Sequence, residues 1–174
     1  MNEHSGGDSI GFRTVTDGDK DFLLELYQSS RGEDLRGLGW HEDRISEFLS
    51  LQHEAQQLFY QTDYQEAVDE IVLIEGQSAG RLIVERREHE IRCVEIALLP
   101  AHRGAGVGTR LIRKLQDEAR QINKPLRLQV IRFSRAVTLF ERLGFERTSE
   151  TGTHFQMEWR TPASVRSPTV REGD

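Results

Sequence analysis

The sequence predicts an α+β fold in which helices cover a mixed sheet. The chain has 174 residues, 36% of them hydrophobic, which is an ordinary composition for a globular protein. Apolar residues alternate in some segments and recur at helical spacing in others. The resulting order is a strand, two helices, three strands, a helix, a strand, a helix and one or two strands. That order differs from the regular strand–helix alternation of a doubly wound fold.

The chain is predicted to form one domain over residues 10–160, which is long enough for a sizeable core. Residues 1–9 are polar and are predicted to form a flexible arm. Residues 161–174 are polar and contain proline and serine, which predicts a disordered tail.

The N-terminal third predicts a strand and two helices. IGFRTVT alternates apolar and polar residues, and KDFLLELYQSS carries apolar residues at helical spacing. Asp17 is placed to cap the first helix, and the three glycines of RGEDLRGLGW are expected to end it. HEDRISEFLSLQHEAQQLFYQTDY predicts a second, longer helix.

The remaining strands and helices follow in the second part of the chain. EIVLIEG and AGRLIVERRE predict a hairpin, and IRCVEIALLP predicts a third strand. GTRLIRKLQDEARQIN predicts a helix whose buried stripe consists of Leu111, Ile112, Leu115, Ala119 and Ile122. LRLQVI predicts a strand, SRAVTLFERLGF a helix closed by Gly144, and HFQMEWR a last strand.

The formal net charge of −6 is unevenly distributed along the chain. Residues 1–101 carry a net charge of −12, whereas residues 102–147 carry +7. We therefore expect no nucleic acid partner, while a small anionic ligand fits the second half. A solvated, arginine-rich helix face accounts for many of the same charges.

Other features of the sequence narrow the function classes. No apolar run is long enough to cross a membrane and the N-terminus lacks a secretory signal, so we expect a cytoplasmic protein with no membrane partner. Cys93 lies in an apolar strand-like run and is predicted to be a core residue. The six histidines are scattered, which predicts no metal site. A homodimer is left open.

The stretch LLPAHRGAGVGTRLI places alternating glycines between a strand and a helix. Its spacing fits neither the phosphate loop of nucleoside triphosphatases nor the dinucleotide fingerprint, which needs a glycine where Thr109 stands. Unpaired N–H groups at a helix start can hold a diphosphate when glycines remove the side chains in front of them. The predicted binding residues are Arg103, Gly104, Ala105, Gly106, Val107, Gly108 and Thr109. A turn needed only for tight strand–helix packing is the alternative.

Two segments carry a resemblance to a known family. IALLPAHRGAGVGTRLI closely resembles the acetyl-CoA motif of the GNAT acetyltransferases, in which an [RQ]-x-x-G-x-[GA] core follows a strand. Arg103, Gly106 and Gly108 occupy the key positions of that core. RFSRAVTLFERLGFERT resembles a second family segment, N-x-x-A-x-x-L-Y-E-x-x-G-F. The predicted order of strands and helices also matches the family, so the resemblance covers residues 9–160.

The resemblance implies a GNAT-like fold, with a central, mixed, mostly antiparallel twisted sheet, splayed central strands and about four flanking helices. It implies that CoA binds with its pyrophosphate on the loop 103–109 and its pantetheine arm beside the strand 95–99, in contact with Leu98 and Leu99. The implied activity is acetyl-CoA-dependent N-acetylation, by direct attack of a primary amine in a ternary complex. The implied acceptor is a small-molecule or peptide amine.

Two positions depart from the family pattern. Ser134 stands where the family often has asparagine, and its hydroxyl can still bond the pantetheine arm. Phe140 stands where many relatives carry tyrosine, whose phenol is held to protonate the leaving thiolate. Phenylalanine keeps the packing contact and has no proton to donate. The thiolate then leaves unaided or through water, another group donates the proton, or the chain is a CoA-binding sensor or interaction module without catalysis.

Glu95 is the candidate for the base that deprotonates the amine. It lies in CVEIALL on the same strand face as Ala97 and Leu99, where partial burial would raise its pKa. A structural ion pair with an arginine, or an exposed edge position, is the alternative. His102 is expected on the loop surface.

Residues 28–64 are expected to meet the amine. Tyr60 and Tyr64 end the second predicted helix, where packing in the core or in the substrate wall is the expected role. The acidic residues of this segment would attract a cationic amine, or would serve only to keep a loop soluble. They are Glu33, Asp34, Glu42 and Asp43.

Overall fold

Within residues 9–163, which the computed structural model describes, seven strands form one sheet. In chain order they are β1 (Ile10–Thr14), β2 (Val68–Ile74), β3 (Gln77–Arg86), β4 (Ile91–Leu98), β5 (Leu126–Ile131), β6 (Glu146–Glu150) and β7 (His154–Trp159). Across the sheet they lie in the order β1-β2-β3-β4-β5-β7-β6. The predicted arm at residues 1–9 and tail at residues 161–174 fall largely outside the described residues.

Four helices connect the strands in this part of the chain. They are α1 (Lys20–Gly37), α2 (Glu42–Asp63), α3 (Val107–Gln121) and α4 (Ala136–Arg142), with short 3-10 turns at Asp17–Asp19 and Pro100–His102. This element order is the one predicted, with two strands at the end. The mixed sheet, its mostly antiparallel pairing and its flanking helices confirm the predicted fold class.

The two central strands, β4 and β5, separate after a short parallel contact. They pair only where Ile91–Cys93 meets Leu126–Leu128, and every other strand pair in the sheet is antiparallel. α3 forms the crossover that a parallel connection requires. The sheet therefore opens between β4 and β5 toward the C-terminal end of β4, as predicted for splayed central strands.

A β-bulge in β4 coincides with the point of separation. Ile83 of β3 pairs with Glu95, but the next residue, Val84, pairs with Cys93, so Val94 is an extra residue. A bulge bends its strand and interrupts the alternation of its side chains. Cys93 packs in the main core, whereas Glu95 lines a pocket on the side of α1 and α2. A strictly alternating strand would have placed both on one face.

The main core lies between the sheet and the helices α3 and α4. The predicted stripe of α3 is confirmed for four residues that are at most 3% exposed, namely Leu111, Ile112, Leu115 and Ala119. The prediction for Ile122 is wrong, since it is 46% exposed. The reason is that α3 ends at Gln121 and Ile122 is its C-terminal cap.

The first helix ends within RGEDLRGLGW, as predicted, but it continues further into that segment than expected. α1 continues past the buried Gly32 to Gly37, and the chain leaves it through Gly39, which has a φ of +77°. A glycine within a helix costs about 1 kcal/mol relative to alanine, which packing can offset. Here α1 packs along α2, with Tyr27, Ile45 and Leu49 buried together.

The prediction that Asp17 caps the first helix is wrong, because the N-cap of the first helical segment is Thr16 and its capping box is closed by Asp19. Asp19, and not Asp17, accepts a hydrogen bond from the backbone N–H of Thr16 at 2.8 Å. Its carboxylate also accepts two hydrogen bonds from Arg13, at 2.8 and 2.7 Å. The strand β1 and the first helical segment are thereby joined by a bidentate ion pair.

The described helices carry no segment that could span a bilayer, because none combines sufficient length with sufficient hydrophobicity. Residues 9–163 also contain no cluster of three or more histidine, cysteine or acidic side chains arranged to hold a metal ion.

Candidate functional site

The glycine loop between β4 and α3 presents its main chain to open space. Gly104 and Gly106 have φ values of +76° and +79°, a conformation that other residues rarely adopt. A Cβ placed on either glycine would meet no heavy atom within 4 Å. α3 starts at Val107, and its first backbone bond runs from the N–H of Arg110 to the carbonyl of Gly106 at 3.0 Å. The N–H groups before Arg110 therefore lie at an open, electropositive helix start.

Arg103 connects this loop to the end of β4. Its Nε donates a hydrogen bond to the carbonyl of Leu98 at 2.8 Å, and its Nη2 lies 3.5 Å from Oγ of Ser29. The residue is exposed. The guanidinium is thus held at the end of β4 by Leu98, and the N–H groups that this bond does not use can meet an anion on the adjoining loop.

Leu98 and Leu99 lie at the edge of the opening between β4 and β5. The side chain of Leu98 packs against the main core, and the N–H of Leu99 donates to the carbonyl of Ala79 at 2.8 Å. The contact of these two residues with a pantetheine arm remains a prediction. Arg103 already donates to the Leu98 carbonyl, so an arm pairing with that carbonyl would share it with Arg103 or displace it.

Ser134 and Phe140, in the second segment that resembles the family, have different surroundings. Oγ of Ser134 accepts a hydrogen bond from the N–H of Ala136 at 3.1 Å and so supports the start of α4. Phe140 is 3% exposed and packs on Phe145, with ring centroids 5.6 Å apart. Phe140 therefore packs in the main core. Contacts of Ser134 and Phe140 with a cofactor remain predictions.

Glu95 lies on the face of the sheet that α1 and α2 cover, in contact with a buried arginine. Its side chain is 18% exposed, and its Oε2 lies 3.5 Å from Nη1 of Arg81. Burial raises the pKa of Glu95, and Arg81 opposes that shift. Both roles weighed for Glu95, a base of raised pKa and a partner of an arginine, therefore find support in its surroundings.

The sequence reasoning missed Arg81 and the groups around it. Arg81 is 4% exposed and donates hydrogen bonds to Asp69 at 2.9 and 2.6 Å and to Oε1 of Gln57 at 2.9 Å. We name Gln57, Asp69, Arg81 and Glu95 the Arg81 cluster. Its signal in the sequence was an arginine inside the apolar run AGRLIV, since charged residues are seldom buried without a partner.

A small cavity next to Glu95 contains polar atoms without partners. It holds about 10 Å³, roughly the space of one water molecule. His53 and Gln56 line it, and among the described residues Nε2 of His53 and Oε1 of Gln56 are buried without a hydrogen-bond partner. Burial and the charge of Arg81 lower the pKa of His53, which favours its neutral form. Ser30, on α1, also borders this cavity.

Tyr60 and Tyr64 lie at the end of α2, beside the Arg81 cluster. The guanidinium carbon of Arg81 is 5.7 Å from the ring centre of Tyr60, and burial raises the pKa of that phenol. Tyr64 packs edge-on against Phe59, with centroids 5.7 Å apart. Their position agrees with the expected packing role. His102 ends the 3-10 turn before the loop and is partly exposed.

A comparison with family models finds that residues 67–147 match the acetyltransferase (GNAT) domain. The match runs from β2 to β6 and includes the glycine loop, Glu95 and Phe140. β1, α1 and α2 lie outside it. A comparison with curated proteins found no match.

Several solved structures share the fold of the whole described chain. The PaiA N-acetyltransferase of Thermoplasma acidophilum, solved in complex with coenzyme A, is 17% identical, with a TM-score of 0.67 over 88% of this chain and 99% of its own. The ribosomal-protein-S18-alanine N-acetyltransferase of Escherichia coli is 17% identical, with a TM-score of 0.57 over 87% and 94%.

A third structure, described as histone acetyltransferase HPA2 and related acetyltransferase, comes from Corynebacterium glutamicum ATCC 13032. It is 21% identical, with a TM-score of 0.60 over 93% of this chain and 99% of its own. At these identities the likeness establishes the fold, and the family model adds that residues 67–147 resemble the GNAT acetyltransferase family. The predicted enzyme class, an acyltransferase of the N-acetyltransferase type, and its acetyl-CoA cofactor are those of that family. Residues 67–147 therefore match the GNAT acetyltransferase domain, and the described chain has the fold of the acetyltransferase structures named above.

Proposed function

We propose that this chain transfers the acetyl group of acetyl-CoA to a primary amine, by direct attack within a ternary complex. The observation that carries the proposal is the opening between β4 and β5. The exposed main chain of Gly104 and Gly106 lies at its edge, and Glu95 lies on the side of α1 and α2. Donor and acceptor could therefore approach β4 from different sides.

The loop residues fit the diphosphate of CoA. The open space over Gly104 and Gly106 would be filled by a Cβ and its extension at either position, so glycine keeps the main chain accessible there. The N–H groups of Val107, Gly108 and Thr109 and the guanidinium of Arg103 would supply hydrogen bonds to phosphate oxygens. Bound acetyl-CoA would supply the acetyl group as a thioester.

Glu95 is proposed to accept the proton that the amine must lose before it attacks. A base acts best when its pKa lies near the working pH, and burial raises the pKa of Glu95 in that direction. The adjacent cavity has room for about one water molecule, through which the proton could pass to the carboxylate.

No proton donor stands at Phe140 for the leaving thiolate. A thiol has an ordinary pKa of about 8.5, so its anion is a moderate leaving group that solvent can protonate. We therefore propose that the thiolate leaves without receiving a proton from a tyrosine. A CoA-binding module without turnover is the competing function, and the buried phenyl ring of Phe140 is the observation that favours it.

The acceptor is proposed to be a small-molecule or peptide amine. The Escherichia coli protein named above is a ribosomal-protein-S18-alanine N-acetyltransferase, which supports including a peptide amine among the candidates. The helices α1 and α2, which are proposed to meet the amine, lie outside the family match, so the acceptor is proposed from this chain's own residues. A cytoplasmic location and a homodimer remain predictions.

The test is release of free thiol from acetyl-CoA in the presence of a panel of amines, with CoA binding measured by calorimetry. The panel contains a polyamine, an aminoglycoside, a peptide with a free N-terminus and a lysine peptide with a blocked one. We expect amine-dependent release above the hydrolysis blank, and loss of most of it at neutral pH in Glu95→Gln with CoA affinity unchanged.

Gly106→Glu should abolish CoA binding through bulk and charge, while Gly152→Glu, in an open turn between β6 and β7, should leave it unchanged. Tight CoA binding without thiol release for any amine would favour the binding module. No binding of CoA or acetyl-CoA by the folded chain would overturn both functions.

A further inference from the structure

Arg81 is a buried arginine shared unequally between two carboxylates. Its Nε and Nη2 donate to the two oxygens of Asp69 at 2.9 and 2.6 Å, in a bidentate pair. Its Nη1 reaches Oε2 of Glu95 only at 3.5 Å. Bidentate pairs at short distance are the strongest arginine–carboxylate contacts. Most of the hydrogen bonding of Arg81 is therefore directed away from Glu95.

The strand register produces this arrangement. Asp69 of β2 and Glu95 of β4 both pair with Ile83 of β3, one from each side. Arg81 lies two residues before Ile83 on the same strand, so its side chain emerges on the same face of the sheet. The bulge at Val94 lies next to the pair of Ile83 and Glu95, and it leaves Glu95 on the face that carries Arg81. The sheet thus places one carboxylate on each side of a single guanidinium.

Helix α2 fixes the guanidinium from above the sheet. Nη2 of Arg81 also donates to Oε1 of Gln57 at 2.9 Å, and the ring of Tyr60 lies 5.7 Å from the guanidinium carbon. With Asp69 and Gln57 both engaged, Arg81 cannot turn toward Glu95 without breaking short hydrogen bonds in a buried site.

We propose that Asp69 and Arg81 are positioning residues, which hold the Glu95 carboxyl in place and prevent its full neutralisation by an ion pair. A carboxylate locked in a bidentate pair with Arg81 would be a weak proton acceptor. One held at the edge of the guanidinium keeps its orientation and its capacity to take a proton. The inference rests on the proposed role of Glu95 as the base of the acetyl transfer.

The charges around Glu95 determine the sign of the expected effects. Burial raises the pKa of Glu95, Arg81 lowers it, Asp69 raises it and Arg31 lowers it. The titratable and charged groups that face this site are Tyr27 and Arg31 on α1, His53 and Tyr60 on α2, Asp69 on β2 and Arg81 on β3. Cys93 lies on the opposite face of β4, in the main core.

Two substitutions should therefore shift the titration of Glu95 in opposite directions. Asp69→Asn removes a negative charge and frees Arg81 to pair with Glu95, so the pKa of Glu95 should fall. Arg81→Met removes the positive charge, so that pKa should rise. Glu118→Gln is the control, because Glu118 pairs with Arg86 outside the Arg81 cluster and should leave Glu95 unaffected.

The experiment is a titration of the Glu95 carboxyl by carbon-13 NMR in the full chain, with Glu95→Gln used to assign the resonance. The pH dependence of kcat/KM is measured on the same variants. A base must be deprotonated to act, so the acid limb of the profile should move to lower pH in Asp69→Asn and to higher pH in Arg81→Met. Should Arg81→Met fail to fold, Asp69→Asn decides alone.

An unshifted Glu95 resonance in Asp69→Asn, or an equal shift in Glu118→Gln, overturns the inference whether or not the chain acetylates amines. A shifted resonance together with a shifted acid limb supports it. A shifted resonance with an unshifted acid limb supports the placement of Glu95 by Asp69 and Arg81, and overturns instead the role of Glu95 as the base.

Discussion

Gly80 lies so close to Ala97 that a Cβ on Gly80 would come within 2.2 Å of the Ala97 carbonyl oxygen. The same atom would lie 2.7 Å from Cδ2 of Leu98. β3 and β4 are thus in contact through their backbones at the edge of the opening that we assign to the cofactor. No residue other than glycine fits this position without displacing β4.

Gly80→Ala should destabilise the protein and weaken CoA binding together. Overpacking of this kind costs about 1–3 kcal/mol in the free energy of unfolding. Urea denaturation and calorimetry with CoA measure the two effects. Gly37→Ala is the control, because nothing lies within 4 Å of its Cβ and it belongs to α1, where alanine is favoured over glycine. Full stability in Gly80→Ala would contradict the close contact.

Asp19→Asn should destabilise the protein in a pH-dependent manner. Hydrogen bonds from Arg13 and from the backbone of Thr16 hold the pKa of Asp19 well below its ordinary value. Its contribution to stability is therefore present above the ordinary aspartate pKa and is lost as the pH falls toward the lowered pKa. The stability difference between the wild type and Asp19→Asn should be largest near neutral pH and should shrink on acidification.

Urea denaturation across this pH range measures that difference. Asp17→Asn is a matched control, since Asp17 is exposed and forms no part of the pair with Arg13. A difference that stays constant down to strongly acidic pH would contradict the assignment of the effect to the Asp19 carboxylate.

Phe140→Leu should lower stability without changing kcat. The ring is buried against Phe145 and carries no proton, so its loss removes packing and no chemical step. An exchange of one large apolar side chain for another in a core costs about 1 kcal/mol. Phe145→Leu alters the other ring of the pair and should likewise lower stability without changing kcat. A fall in kcat that is confined to Phe140→Leu would assign the ring a part in the reaction.

Arg103→Gln should raise the KM for acetyl-CoA with little effect on stability. A hydrogen bond from a charged group contributes about 1.5–3 kcal/mol, which corresponds to roughly 10- to 100-fold in affinity. Arg160→Gln, at the end of β7 and paired with Glu158, provides a control of equal charge change. Equal KM values in the two variants would remove Arg103 from the proposed phosphate contacts.

The sequence predicted those parts of the fold whose causes are local. Strand alternation, helical spacing and the glycines around a helix start are set by neighbouring residues, and β5 coincides with the predicted LRLQVI. The end of α1 was misplaced because the penalty of Gly32 is overcome by packing against α2, which is a tertiary effect.

The Arg81 cluster could not be predicted by the same reasoning. Its geometry depends on two strand registers, in which Asp69 and Glu95 both oppose Ile83, and on Gln57 from a distant helix. Glu95 was identifiable as a carboxylate in an apolar strand. Its partner was not, because strand pairing beyond a hairpin leaves little trace in a single sequence.

The bulge at Val94 and the separation of β4 from β5 begin at the same point, so we expect the opening to cost the sheet hydrogen bonds. If Val94 were deleted, β4 would run straight. Cys93 and Glu95 would then be neighbours in the chain, and neighbouring strand residues still point to opposite faces. A straight β4 could extend its ladder with β5 and gain hydrogen bonds, and the opening for the acetyl donor would close. A chain lacking Val94 would then melt at a higher temperature than the natural one and lose its affinity for CoA.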